Sequence, residues 1–255
     1  MAGDNAPTRV CRVLFHVHTR ASYDCLMSPR RVVERCRETG IDLVVISDHD
    51  CVDALAEAEA AGCDLGVRVV PAVEFATDYG DVIGLMVAGL CPEAGLSAVL
   101  DHIRGHGGLA VLPHPLRGHC LDRLPVEQFD LIEVYNARCS PRENELAQLL
   151  AERYGKPVLV GADAHVPGEL DLACNDFRDC PPGRPLDWTP RDLRRMFLCS
   201  PRSFRCGRSS EAAVCVSQVI KGFRQRTPRV VAQSLRDFGR TVLRRRFWRS
   251  LRAAR

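Results

Sequence analysis

The chain has 255 residues, of which 46% are hydrophobic and 26% charged, and a formal net charge of +3. These values are ordinary for a soluble globular protein, and the length allows one α/β domain of barrel size or two small domains. No apolar run is long enough to span a bilayer, and residues 1–12 contain no apolar signal region. We therefore expect a cytoplasmic protein rather than a membrane-spanning or secreted one.

The charge is distributed unevenly along the chain. Between Lys221 and Arg255, twelve Lys and Arg residues stand against one acid, Asp237, so this segment carries +11 and the first 220 residues carry −8. The sequence therefore combines an acidic body with a strongly basic tail, and the two parts are expected to have different functions.

Thirteen cysteines are many for a chain of this length. They form no CxxC pair, which argues against a zinc ribbon or a thioredoxin-like redox motif. In a reducing compartment they are most simply core residues and free thiols. Cys25 and Cys51 lie beside turns rich in His and Asp, so a role near a metal is the alternative for these two.

The first predicted strand covers residues 12–17 and ends in two histidines, His16 and His18. Because side chains alternate along a strand, both imidazoles are expected on one face. Two imidazoles at the end of a buried strand form half of a metal site. Two ordinary histidines near a strand end are the alternative, and the ends of the other strands decide between the two interpretations.

Strands and helices alternate along the next 150 residues. Apolar runs predict strands at 41–46, 67–73, 82–87, 109–112, 130–135 and 157–160, and helices are predicted at 28–39, 53–62, 96–104 and 141–154. This alternation predicts βα units with parallel strands. Later in the chain, residues 176–188 indicate a loop, and two further helices are predicted at 190–198 and 209–221.

The ends of these strands carry nearly all of the residues that could bind a metal. The candidate ligands are His16, His18, Asp24, His49, Glu74, His114, Asp163 and His165, with Asp81 as a ninth candidate. A mixed set of nitrogen and oxygen ligands suits Mn, Fe or Zn better than Ca or Mg. Eight or nine ligands are too many for one tetrahedral ion, so we predict two or three divalent ions. Such a cluster favours hydrolysis of a phosphate ester, and a metal-dependent amidohydrolase is the nearest chemical alternative.

Five short motifs in this chain resemble the ordered motifs of the PHP family, named for polymerase and histidinol phosphatase. They are HVHT at 16–19, SDHD at 47–50, PAVEF at 71–75, PHP at 113–115 and GADAH at 161–165. The resemblance covers about residues 10–215. It implies an α/β fold, a distorted TIM-like (β/α)7 barrel, with a trinuclear metal site at the strand ends and phosphoesterase activity. We accordingly expect a loose N-terminus at 1–10, a barrel at 11–226 and a basic amphipathic helical tail at 227–255.

The resemblance also distributes the ligands among three ions. One ion would be held by His16, His18, Glu74 and Asp163, a second by Glu74 as a bridge and His114, and a third by Asp24, His49 and His165. Asp81 stands where many members of the family have a further histidine for the second ion. Asp48 and Asp50 flank His49 and could either orient it or cap the turn that follows.

A catalytic hypothesis follows from these assignments. A hydroxide bridging the first two ions would attack phosphorus, and Arg117 would help the third ion to hold the phosphate. Asp163 or His165 would pass a proton to the leaving group. Arg117, His119 and Asn136 are the expected substrate contacts, with solvated loop residues as the alternative.

The basic tail has three interpretations. Its helix could be solvated or docked on the barrel, could lie on an anionic membrane, or could bind nucleic acid through its arginines. The expected partner of the barrel is a small phosphate ester, either a phosphomonoester or a phosphodiester, or a short oligonucleotide. The alternative function is a non-catalytic PHP module that holds metal and binds nucleic acid or membrane through the tail.

Overall fold

The computed structural model of the chain describes residues 10–119 and 121–253, and beyond residue 240 it describes the backbone alone. Residues 1–9 of the predicted loose N-terminus therefore lie outside the described residues, as do the side chains of the last part of the predicted tail. Within the described residues, no helix is both long and apolar enough to cross a membrane.

Strands and helices mostly alternate in the first two thirds of the chain. The elements are β1 (Cys11–Val17), α1 (Pro29–Glu38), β2 (Leu43–His49), α2 (Leu55–Leu65), β3 (Arg68–Thr77), β4 (Gly80–Leu85), α3 (Leu96–Gly105), β5 (Leu109–Leu112), β6 (Leu131–Asn136), α4 (Pro141–Tyr154), β7 (Val158–Gly161), β8 (Ala173–Phe177), α5 (Pro190–Cys199), β9 (Arg202–Cys206), α6 (Glu211–Arg224) and α7 (Pro228–Ala253). The exceptions are that β4 follows β3 and β6 follows β5 without an intervening α-helix. The strands form one sheet in the order β7-β6-β5-β4-β3-β2-β1-β8-β9.

The sheet nearly closes into a barrel. β7 continues into residues that return to β1, where Val17 pairs with Ala164 in parallel orientation. The backbone amide of His18 donates to the carbonyl of Ala164 at 3.0 Å, and that of Ala162 donates to Phe15 at 3.0 Å. The predicted distorted barrel is confirmed, and its closure joins the two chain segments that carry the first and last ligand motifs.

The sheet is mixed rather than wholly parallel. β1, β2 and β3 are parallel to one another, as are β5, β6 and β7, but β4 runs antiparallel to both of its neighbours. The physical reason is the short connection after β3, because a two-residue turn can join only antiparallel strands. Gly80 completes this turn with a positive φ of 113°.

The sequence does not predict strand β8, because this strand is polar and contains no apolar run. It pairs antiparallel with the first residues of β1 and with β9. Asn175 fills the gap between β7 and β1, since its side chain accepts from the amide of Val160 at 3.0 Å and donates to the carbonyl of Val160 at 2.8 Å. A buried side-chain amide thus replaces part of a strand ladder, which no hydrophobic pattern can reveal.

Helix α2 differs from its prediction at both ends. It begins at Leu55, two residues later than predicted and without a side-chain cap, and it continues through Gly62 to Leu65, where Gly66 with a φ of 74° follows as the C-cap. Gly62 is a packing position, because a Cβ atom there would lie 2.6 Å from the carbonyl oxygen of Val67. Helices α1 and α4 both have a serine N-cap, with Ser28 and Ser140 accepting from the amides three residues on.

Side chains fill the interior of the barrel. Apolar residues of β1 to β7 form one buried cluster, and α5 adds Leu193, Met196 and Phe197 to it. Since the interior is packed, a functional site must lie at the strand ends, as in other barrels of this type.

Candidate metal centre

The structure brings all nine predicted ligands together at one end of the barrel. They form four overlapping groups, and within each group the candidate ligand atoms lie within 4.8 Å of one another. The groups are His18, Asp24, His49 and His165; His16, His18 and Glu74; His16, His114 and Asp163; and Glu74, Asp81 and His114. Because single residues belong to two groups, the arrangement is suited to ions that share ligands.

The carboxylate of Glu74 lies at the centre of the cluster. Its Oε2 atom is 3.3 Å from Nε2 of His16, 3.3 Å from Nε2 of His18 and 3.1 Å from Nδ1 of His49. Its other oxygen, Oε1, is 3.1 Å from Nε2 of His114. Two oxygens facing different imidazoles are what a carboxylate bridging two ions requires.

A second carboxylate, Asp24, serves the other side of the cluster. Its Oδ2 atom is 3.1 Å from Nε2 of His165 and 3.4 Å from Nε2 of His49. Asp163 lies between the two sides, with Oδ1 3.5 Å from Nε2 of His18 and 3.4 Å from Nδ1 of His165.

Three of these residues have backbone conformations that residues other than glycine rarely adopt. The φ angles are 64° at His16, 27° at His114 and 48° at Asp163. The register of β1 also shifts between Leu14 and Val17, so His16 lies in an irregularity of the strand. His16 and His18 reach the same site, but regular alternation is not the cause. Strain of this kind costs on the order of 1–3 kcal/mol per residue and is concentrated at functional sites.

Polar atoms without hydrogen-bond partners indicate that the cluster suits metal ions. Among the described residues, six buried side-chain polar atoms make no hydrogen bond, and four of them are Nε2 of His16, Nε2 of His18, Oε2 of Glu74 and Oδ1 of Asp24. Leaving such atoms unsatisfied is costly in a folded protein. All four belong to the candidate ligand groups, and their nitrogen and oxygen donors fit divalent ions such as Mn, Fe or Zn.

The electrostatics of the cluster favour charged carboxylates. Burial opposes their ionisation, but the imidazoles of His16 and His49 hold the pKa of Glu74 well below its usual range. Burial and the neighbouring His165 and His49 lower the pKa of His18 to about 3, so this imidazole is neutral near pH 7. Burial opposes protonation of His49, yet Glu74 and Asp24 raise its pKa to about 9. A bound cation would displace such protons, so metal binding and proton release are coupled here.

Glu133 is a functional residue that the sequence analysis missed. It is fully buried, and its Oε1 accepts from Nδ1 of His16 at 2.9 Å. Its Oε2 accepts from the backbone amide of His114 at 2.8 Å and from Nδ2 of Asn136 at 3.0 Å. Gly161 makes room for it, since a Cβ atom there would overlap with Oε1 of Glu133. Glu133 therefore orients two candidate ligands without being one of them.

Glu133→Gln is expected to weaken metal binding about 10- to 100-fold, the range for loss of a residue that orients a ligand. The variant keeps the shape of the side chain, but one acceptor oxygen becomes an NH2 group, which cannot accept from His16 or His114. Titration with Mn in competition with a chelator measures the change, with the exposed Glu127→Gln as control. Equal affinities of the wild type and Glu133→Gln would contradict this role.

Asp48 supports both His18 and His49 through Ser22, whose hydroxyl oxygen also accepts from the backbone amide of His49 at 3.0 Å. The carboxylate of Asp48 accepts from the amide and hydroxyl of Thr19, at 2.6 and 2.7 Å, and from the hydroxyl of Ser22 at 2.7 Å. The Ser22 oxygen in turn lies 3.1 Å from Nδ1 of His18. The other flanking residue, Asp50, accepts from the amide of Ala76.

A buried ion pair supports the opposite side of the site. Nε of Arg138 donates to Oε1 of Glu169 at 3.2 Å, and both side chains are 1% exposed. The other oxygen of Glu169 accepts from the backbone amide of His165 at 2.8 Å. Neither residue was selected from the sequence, because buried and exposed charges look alike in a single sequence.

A cavity of about 160 Å³ opens over the ligand cluster. Its lining comprises Tyr23, Asp24, His49, Glu74, Asp81, His114, Arg117, Gly118, Arg138, Asp163, His165, Gln218 and Lys221. Arg117 lines this cavity, with Nη1 3.5 Å from Oδ2 of Asp163, and its contact with a substrate phosphate stays a prediction. The cavity therefore combines the carboxylates of the cluster with the cations of Arg117, Arg138 and Lys221.

Two predicted substrate contacts lie outside this lining. His119 places Nε2 2.8 Å from the carbonyl of Asp81 and packs against Gly80, so it supports the β3–β4 turn. Asn136 is 1% exposed and directs its side chain to Glu133. Both side chains position parts of the site, and direct contact of either with substrate stays a prediction that the geometry does not favour.

Cys25 lies beneath the cluster as a neutral thiol. Its Sγ donates to the carbonyls of His18 and His165, each at 3.3 Å. Burial raises the pKa of the Cys25 thiol to about 12, which disfavours the thiolate that a metal would need.

Comparisons with known proteins agree with the geometry. A family model described as PHP-associated matches residues 141–181, which include Asp163 and His165. An uncharacterized protein of Methanocaldococcus jannaschii is 31% identical over 140 residues, or 48% of this chain and 80% of that protein. A 3',5'-nucleoside bisphosphate phosphatase of Chromobacterium violaceum is 34% identical over 91 residues, or 35% of this chain and 32% of that protein.

The fold also has a solved counterpart. A two-domain protein of Bacteroides vulgatus, described as containing a PHP-like metal-dependent phosphoesterase, superimposes with a TM-score of 0.65. The match covers 82% of this chain and 69% of that protein at 13% identity, so it is a likeness of fold.

Proposed function

Because the chain belongs to the PHP family of metal-dependent phosphoesterases, we propose that it hydrolyses a phosphate ester at the candidate metal centre. The observation that carries the proposal is the convergence of nine imidazole and carboxylate groups, several with buried and unpartnered atoms, beneath a cavity lined by cations. We propose that the centre binds two or three ions of Mn, Fe or Zn. The proposed ligands are His16, His18, Glu74 and Asp163 for one ion, Glu74 and His114 for a second, and Asp24, His49 and His165 for a third.

The residues of the chain have separate tasks in this proposal. Bound divalent ions would supply an activated water and neutralise phosphate charge. Arg117 lines the cavity, and its contact with Asp163 at 3.5 Å is weak. Its guanidinium can therefore donate two parallel hydrogen bonds to phosphate oxygens. Asp163 or His165 would pass a proton to the leaving oxygen. No side-chain nucleophile is required.

We propose a nucleotide or short oligonucleotide as the substrate. The named activity of the Chromobacterium violaceum relative supports this class, since that protein acts on a nucleoside bisphosphate. The boundary between barrel and tail at 226/227 stays a prediction, as does contact of the tail with nucleic acid or an anionic membrane.

The test combines metal analysis with an ester assay on one purified sample. We expect two or three ions per chain and Mn-dependent release of nitrophenol from p-nitrophenyl phosphate or from bis-p-nitrophenyl phosphate. The preferred ester will separate a monoesterase from a diesterase. Absence of bound metal, with none recruited by added Mn, would refute the proposal.

A further inference from the structure

Helix α6 is fixed over the metal centre at two points. From the barrel side, Nη2 of Arg138 donates to the buried hydroxyl of Ser217 at 2.7 Å. From the helix side, Nη1 of Arg224 donates to the carbonyls of Arg20 and Ser22, at 2.9 and 2.5 Å. Between these anchors α6 places two side chains, Gln218 and Lys221, in the lining of the cavity. The helix is thus a wall of the site.

Three polar side chains on this wall and beside it have no hydrogen-bond or ion-pair partner among the described residues: Tyr23, Gln218 and Lys221. By contrast, the cavity cations Arg117 and Arg138 are paired with carboxylates. The ammonium of Lys221 lies 4.9 Å from the centre of the Tyr23 ring. Each of the three groups can therefore still bind a ligand.

The position of this group relative to the metal centre is well defined. The ring of Tyr23 stacks on that of His49, with centroids 4.7 Å apart and planes inclined by 8°. His49 belongs to the ligand group with His18, Asp24 and His165. Lys221 thus lies beside the Tyr23 ring that stacks on His49, whereas Arg117 contacts Asp163. One phosphate group is therefore not required to bind both cations.

The chemistry of the three side chains selects an oxyanion. An ammonium, a phenol hydroxyl and a carboxamide all donate hydrogen bonds, and the ammonium adds a positive charge. The carboxylates of the cavity belong to the ligand groups and would be neutralised by cations.

We propose that Tyr23, Gln218 and Lys221 form a subsite for a second phosphate of the substrate, away from the phosphate that reacts. The inference rests on the proposed phosphoesterase function and narrows its substrate to esters with two separate phosphates.

The test compares Lys221→Met with the wild type on adenosine 3',5'-bisphosphate, adenosine 3'-monophosphate and adenosine 5'-monophosphate with Mn. Dissociation constants from calorimetry report the subsite, and phosphate release reports turnover. We expect the wild type to prefer the bisphosphate, and Lys221→Met to lower that preference in affinity and in kcat/KM about 10- to 100-fold. Lys221→Arg is expected to restore most of it.

Arg229→Met is the matched control, because Arg229 is exposed on α7 and does not line the cavity. Gln218→Leu provides a second variant in the subsite, with a smaller loss expected in the same direction. Equal losses for all three nucleotides in Lys221→Met would overturn the subsite, since a lysine that merely balances the ligand carboxylates affects every ester alike. Absence of turnover with every ester would instead refute the phosphoesterase function, and the binding preference would still decide the subsite.

Discussion

Glu74→Gln is expected to remove at least one metal ion per chain and to lower Mn-dependent ester hydrolysis by more than about 100-fold. Loss of a residue that merely orients a ligand already weakens metal binding or activity by about 10- to 100-fold, and Glu74 is placed as a ligand itself. Its two oxygens face four imidazoles, at distances of 3.1 to 3.3 Å. A neutral amide has one such oxygen, and its NH2 group cannot bind a cation.

Elemental analysis and initial rates on the same preparation test this expectation. Glu93→Gln makes the same chemical change at an exposed position and should keep the metal content and rate of the wild type. Full metal content in Glu74→Gln, with a rate within about twofold of the wild type, would show that Glu74 is not shared between ions.

The candidate ligands could be predicted because their residue types are rare at the ends of buried strands. An apolar run that stops at His, Asp or Glu is visible in the sequence, and parallel strands bring such ends together. The chemistry of the site was therefore accessible even though the antiparallel direction of β4 and the polar strand β8 were not.

The supporting residues could not be predicted for a physical reason. Glu133 and Arg138 act through burial and through partners distant in the chain, at separations of 117 residues to His16 and 79 residues to Ser217. A single sequence contains no measure of either property. The sequence likewise does not show that the side chain of Asn136, an expected substrate contact, donates to Glu133 at 3.0 Å.

The role of α6 illustrates the same limit. The sequence predicts a helix at 209–221, and the structure has one at Glu211–Arg224. Gln218 and Lys221 are residue types that usually face solvent, so composition alone places them on the surface. The tertiary contacts of Arg138 and Arg224, which the sequence does not show, help to hold this helix against the metal centre.

Arg138→Leu is expected to lower the free energy of unfolding by about 3–5 kcal/mol, the cost of leaving one partner of a buried ion pair without the other. The substitution leaves the carboxylate of Glu169, which is 1% exposed, without its cationic partner. It also removes the hydrogen bond from Arg138 to Ser217 that holds α6. Urea unfolding of the metal-free proteins measures the loss. Arg142→Leu is a suitable control, because Arg142 is 67% exposed and pairs with Glu145, whose side chain is also exposed.

The double variant Arg138→Leu/Glu169→Leu separates the two causes of the stability loss, which are the unpaired buried charge of Glu169 and the lost hydrogen bonds. Removing both charges should recover part of the stability, since no carboxylate is then buried alone. Recovery should remain incomplete, because Glu169 also accepts from the amides of His165 and Val166. If Arg138→Leu were as stable as Arg142→Leu, the pair would not be a structural support. If it instead lost stability but kept the bisphosphate preference of the wild type, Arg138 would not be needed to hold α6 over the metal centre.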